Sequence, residues 1–214
     1  MRARMALVHC GIQCIVREVA LKAKPAHLLE VSNKGTVPVL LIESDDDSTA
    51  QYRVIDESID IMVWAMTESP SRDLAKSDHW LAAEILNKTE IRQLIEHNDT
   101  EFKTQLDKYK YSDRHPQHPQ AFYLEQAMPF LEQLENLLSY STYLGGDDFR
   151  FPDAAILPFV RQFSMVDPTQ FNSLTLPNLQ RWVHQGINSA LFLSVMRKFL
   201  PWAGLEDTNV NKLL

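Results

Sequence analysis

The stretch Asn33-Lys34-Gly35-Thr36-Val37-Pro38-Val39-Leu40, read with Val54-Ile55-Asp56-Glu57-Ser58, decides the fold of this chain. Gly35 permits a tight turn, and an X-Pro step then leads into an apolar strand. Proline lacks an N–H and weakens a mid-sheet ladder, so Val37-Pro38 must lie where a strand begins or bends. A cis bond is accessible at such a step and would turn the Val37 N–H and C=O outward, free to pair with a ligand as an added strand. Further on, Glu57-Ser58 open a helix whose apolar face is Ile59, Ile61, Met62, Trp64, Ala65 and Met66. The N–H groups at that helix start attract a carboxylate, and Glu57 can take an ammonium group. Together the two stretches predict a site for a small peptide.

Working outward, residues 1–11 read as a helix that Gly11 ends at its C′ position. Cys14–Leu21 alternates as a strand, and Pro25 sits at the first turn of a short helix carrying Leu28, Leu29 and Val31. Val37–Ile42 reads as a buried strand, Asp45-Asp46-Asp47 as a solvated hairpin turn, and Tyr52–Ile55 as the returning strand. A helix from Ser58 to Thr67 closes this small α/β unit, and Glu68-Ser69-Pro70-Ser71 is a linker signal.

Beyond Leu74 the pattern is helical almost throughout. Trp80, Ile85, Leu86, Ile91, Leu94 and Ile95 mark one long helix, and Tyr123, Met128, Leu131, Leu134, Leu137 and Leu138 a second. His115-Pro116-Gln117-His118-Pro119 separates them. Gly145-Gly146-Asp147-Asp148 is a loop, and further helices start near Pro152, Pro177 and Ser189. The expected organisation is an α/β domain over residues 1–68, a linker over 69–74 and an all-helical domain over 75–214.

The chain has 214 residues, 45% hydrophobic and 23% charged, enough for one or two domains with real cores. A net charge of −7 gives no support to nucleic-acid binding or to contact with anionic membranes. No signal-peptide pattern and no apolar run of membrane-spanning length is present, and Cys10 and Cys14 do not make a disulfide framework. These features point to a soluble, cytoplasmic protein.

The Val37-Pro38 step, Glu57-Ser58 and the order of the elements resemble the glutathione transferases. The likeness extends through Met1-Arg2-Ala3-Arg4-Met5-Ala6-Leu7 and Gly11-Ile12 to Pro152-Asp153-Ala154-Ala155-Ile156-Leu157-Pro158-Phe159-Val160-Arg161-Gln162-Phe163, and so covers nearly the whole chain. It implies a thioredoxin-like N-terminal domain followed by an all-α helical bundle, and a homodimer. It also implies roles for residues. Glu57 would face the ammonium group of glutathione, and the Ser58 hydroxyl and N–H would hold the γ-glutamyl carboxylate. Val37, before Pro38, would pair with the cysteinyl backbone, and Lys34 would reach the glycyl carboxylate. Taken singly, Ser58 is equally a helix cap, Glu57 a first-turn acid and Pro38 a strand-start proline.

These enzymes favour the thiolate of bound glutathione with a Tyr, Ser or Cys after the first strand, at the start of the first helix. Here Met1-Arg2-Ala3-Arg4 resembles the residues directly after that turn, so the α/β domain is expected to be incomplete, its first strand absent, and the catalytic residue is unassigned. The resulting expectation is an upstream extension in the native protein, visible by intact-mass measurement. Cys10 and Cys14 read as structural thiols. No metal site is expected, since His115 and His118 flank prolines in a loop and His9 beside Cys10 is incidental. Asp153 matches an acid that the family uses in a capping box, but Arg150 stands where Ser or Thr would complete it. Trp64, Trp80, Trp182 and Trp202 read as core or interface residues, and Tyr109 and Tyr111 as pocket-lining or solvent-facing.

The first functional expectation is conjugation of glutathione to a small electrophile, or glutathione-dependent thiol transfer on a disulfide, with glutathione as substrate and no metal. The alternative is a non-catalytic binding module of the same fold, acting through protein contacts as the stringent starvation proteins do with RNA polymerase. The missing turn favours the second, and the retained Lys34, Val37-Pro38 and Glu57-Ser58 set favours the first.

Overall fold

The computed structural model describes residues 1–43, 52–70, 72–81, 89–204 and 211–213. They form two compact units, Met1–Ser77 with Ser194–Leu214, and Asp78–Leu193.

The first unit opens with α1 (Arg2–His9), which buries Ala3, Met5, Ala6 and Leu7. Gly11 follows it at φ +72°, and its N–H donates to the Val8 carbonyl at 3.1 Å, a termination that an L-residue adopts only under strain. After β1 (Ile15–Val16) and α2 (Ala26–Val31) comes a hairpin of β2 (Leu40–Glu43) and β3 (Tyr52–Ile55), antiparallel with Leu40 opposite Ile55 and Glu43 opposite Tyr52. Next, α3 (Ser58–Thr67) packs on α1 and buries Ile61, Met62, Ala65 and Met66 against it. Each such large apolar side chain contributes about 1.5–3 kcal/mol of burial, and this seam is the unit's core.

Two strands are shorter than their sequence suggests. Of Cys14–Leu21 only Ile15–Val16 is strand, because its partner is the tail strand β4 (Asn211–Lys212), two residues long. The second expected strand begins at Leu40 rather than Val37, since Pro38 has no N–H for a ladder. The Val37–Pro38 bond is cis, as the sequence suggested. Pro25 stands one residue ahead of α2 instead of inside its first turn. The Asp45-Asp46-Asp47 run lies outside the described residues.

The chain continues through α4 (Leu74–Leu81), α5 (Thr89–His97), a π-helical turn (Asn98–Phe102) and α6 (Lys103–Lys110). The single long helix expected across Trp80 and Ile95 cannot be followed through residues 82–88, which lie outside the described set. A 3₁₀ turn (Ser112–Arg114), α7 (Gln120–Tyr140), α8 (Phe151–Ser164), α9 (Pro168–Ser173), α10 (Pro177–Ile187) and α11 (Ala190–Val195) follow. In the helical unit α8 is the central element: Ala154, Ala155, Ile156, Leu157 and Val160 are all fully buried, and it packs against α5, α6 and α10. Phe102, Phe130, Phe163 and Tyr109 fill the space beside it as an aromatic cluster, with ring centroids 4.7–5.6 Å apart. Tyr109 is thus a core residue, and Trp80 and Trp182 are fully buried.

This is the glutathione transferase-like architecture, a small mixed α/β unit followed by helices. The tail from Ser194 onward, read from sequence with the helices, clusters with the first unit. No described helix is long and apolar enough to cross a membrane.

Candidate functional site

The opening of α3 gathers most of the predicted residues. Glu57 is the N-cap residue, in extended conformation, and its carbonyl accepts the first helical bond from Ile61 N–H at 3.0 Å. The Ser58 and Ile59 N–H groups precede that bond and form the positive end of the helix. The Glu57 side chain makes no capping bond. Instead its Oε1 accepts from Lys34 Nζ at 2.5 Å. Ser58 also does not cap: its Oγ accepts from Arg2 Nη1 at 3.5 Å, and Arg2 is buried. Neither side chain makes a capping hydrogen bond, although Glu57 still stands as an acid at the positive end of α3.

Lys34 comes from the other side. Ser32 to Gly35 form a turn in which Gly35 N–H donates to the Ser32 carbonyl at 3.0 Å, with Gly35 at φ +56°. Residue 34 is carried out of that turn onto the acidic pair: Lys34 Nζ lies 3.6 Å from Asp56 Oδ1 as well as on Glu57. The bond to Glu57, with the two carboxylate charges, holds the Lys34 ammonium above the ordinary lysine range. Asp56 is itself fixed, since its Oδ2 accepts from Ser32 Oγ at 3.0 Å and Ser32 is 3% exposed.

Val37 and Pro38 stand on the wall of a groove of about 790 Å³ within the first unit. Residues 13–19 and 37–43 line it without a gap, so neighbours in sequence face it rather than alternate ones. Tyr52 of β3 and the tail residues Trp202 and Leu213 complete its wall. Ala3, Leu7, Ile12 and Ile61 form its apolar floor. Val37 is 44% exposed there and precedes the first ladder pair, Leu40 with Ile55.

The two thiols are poorly suited to nucleophilic work. Cys10 is fully buried, and burial pushes it up to about 11. Cys14, on the groove wall, is also raised by burial. His118 stacks on Phe122 with ring centroids 4.0 Å apart, and the His115 ring lies edge-on to Tyr123 at 6.3 Å. Sequence reading overlooked three members of the site: Arg2, Ser32 and Asp56. Asp56 stood in plain view beside Glu57, but its partners come from a turn more than twenty residues upstream.

With fold and geometry in place, comparison assigns the class. The family model described as "Glutathione S-transferase, N-terminal domain" matches residues 1–68, and "Glutathione S-transferase, C-terminal domain" matches residues 79–184. The chain belongs to the glutathione S-transferase family. Among solved structures it is similar to a glutathione transferase family member from Pseudomonas fluorescens pf-5 with two glutathione bound, at 16% identity and TM-score 0.70, covering 90% of this chain and 85% of that one. It is also similar to poplar glutathione transferase F1, at 18% identity and TM-score 0.67, covering 90% and 88%. A third is a ternary complex of BphK, a bacterial glutathione S-transferase, at 18% identity and TM-score 0.66, covering 90% of each chain. No curated protein sequence matches significantly.

Proposed function

We propose that this chain binds glutathione at the opening of α3, and that its activity is transfer of the glutathione thiolate to an electrophile or to a mixed disulfide. Glutathione is the substrate, and the second substrate is a small electrophilic or disulfide compound. The observation that carries the reading is the meeting of Lys34, from the turn after α2, with Glu57 beside Ser58 at the N-terminus of α3. Neighbouring structures of the same fold with glutathione bound add support. Glu57 offers a carboxylate to the ligand ammonium. Ser58 Oγ and the α3 N–H groups receive the γ-glutamyl carboxylate, with the Arg2 guanidinium behind them adding positive charge. Val37 offers main-chain pairing to the cysteinyl residue, and Lys34 offers a cation to the glycyl carboxylate. The chain is proposed to work as a cytoplasmic homodimer, as the family resemblance implies.

Calorimetric titration of glutathione tests this. Binding is expected, and Glu57→Ala with Ser58→Ala should abolish it while helical circular dichroism stays nearly unchanged. Equal affinity in the double variant, or no heat with the parent chain, overturns the reading.

The second reading, a binding module of the same fold acting through protein contacts, is favoured by one observation. Burial holds both thiols above the ordinary cysteine range, so neither stands in for the unassigned catalytic residue. Glutathione binding with no turnover of an aryl halide or a mixed disulfide is the result that would select it.

A further inference from the structure

In the free protein the carboxylate assigned to the ligand ammonium already holds an ammonium. Lys34 Nζ sits on Glu57 Oε1 at 2.5 Å, while its second neighbour, Asp56 Oδ1, is at 3.6 Å. Glutathione therefore has to exchange one cation on Glu57 for another. A displaced lysine on a solvent-exposed turn would swing into water, since a long side chain gains rotamer freedom when released. Asp56 provides a second carboxylate for it to rest on. Ser32 Oγ fixes that carboxylate from a buried position, and the same Ser32 receives the Gly35 N–H that shapes the turn carrying Lys34. One serine thus ties both the turn and the carboxylate together.

Resting on the reading of this site as a glutathione site, we propose that Asp56, braced by Ser32, is a positioning residue: it receives Lys34 when the ligand ammonium takes Glu57. Asp56 touches no part of the ligand in this scheme. It acts through Lys34, and that makes the proposal separable from a merely structural role.

A double-mutant cycle read by calorimetry with glutathione decides it. Asp56→Asn is expected to weaken glutathione binding about two- to fivefold, the range for a single exposed ion pair. In a Lys34→Gln background the same substitution should change affinity by less than that, because there is no lysine left to place. Ser32→Ala, which leaves both charges in place but loosens the carboxylate, should reproduce part of the loss in the Lys34 background only. An equal loss from Asp56→Asn with and without Lys34, or no loss in either, overturns the positioning role while leaving glutathione binding intact. A parent chain that binds no glutathione overturns the site reading itself and this proposal with it, so the two failures are distinguishable.

Discussion

Asp153 is fully buried, yet its carboxylate accepts four N–H bonds: from Leu144 at 2.8 Å, Gly145 at 3.1 Å, Arg150 at 3.0 Å and the Trp182 indole at 2.8 Å. Arg150 holds the N-cap place of α8, and a guanidinium has no acceptor to complete a reciprocal cap. The acid compensates by binding the 144–145 loop and α10 as well as its own helix start. Removing it strands several buried donors, so Asp153→Ala should cost about 3 kcal/mol or more of stability in urea unfolding. Burial pushes this carboxyl up to about 6, against the pull of its four N–H bonds. Its ordinary value is 3.8, so between the two the folded chain holds a proton that the unfolded chain has released. Stability from this group is therefore greatest at low pH and falls as pH rises through about 4 to 6. Urea midpoints across that window should converge on those of Asp153→Asn only if the acid titrates this way; pH profiles that run parallel in the two proteins would refute it.

At the scale of elements, α8 and α10 meet closely at one point. A Cβ on Gly186 would lie 2.6 Å from Leu157 Cδ2 and 2.9 Å from its Cδ1, and Leu157 is completely buried, so any shift of its side chain must be made within the core. Gly186→Ala should therefore destabilise, because overpacking costs about 1–3 kcal/mol while the gain in helix propensity is about 1. A net loss of about 1 kcal/mol by urea unfolding is expected, and a stabilised variant would show that the helices can part. Elements governed by local chemistry were legible in the sequence. Gly11 marked the end of α1, the acid-serine pair marked the start of α3, and Pro152 and Pro177 marked α8 and α10. Lys34, Glu57 and Ser58 were legible as candidates for the same reason, each lying beside a turn or helix start. What could not be read depends on distant partners. The length of β1 is set by tail residues Asn211–Lys212, and the tether of Asp56 is set by Ser32. Hydrophobic period carries no trace of either.

For the molecule as a whole, the first unit is not contiguous in sequence. Its α/β part is joined by the tail, which returns along β1: Trp202 N–H donates to the Glu18 carbonyl at 2.8 Å, Leu213 N–H donates to the Cys14 carbonyl at 3.1 Å, and β4 pairs with Ile15–Val16. Side chains reinforce the backbone, with the Arg17 guanidinium 4.7 Å from the Trp202 ring centroid and His27 edge-on to the same ring. A two-residue ladder is marginal without such support. The tail thus pairs with β1, and Trp202 and Leu213 also line the groove. Trp202→Ala should release the tail strand and unprotect the amides of residues 202 and 213, because they donate to the Glu18 and Cys14 carbonyls only while the tail is seated. Amides in α8, which the tail bonds described here do not reach, should keep their protection. Native-state hydrogen exchange reads both at once. Faster exchange confined to the tail amides and the β1 segment they pair with would establish the tail as part of the first unit's fold, whereas uniform loss across both units would mean that Trp202 supports global stability instead.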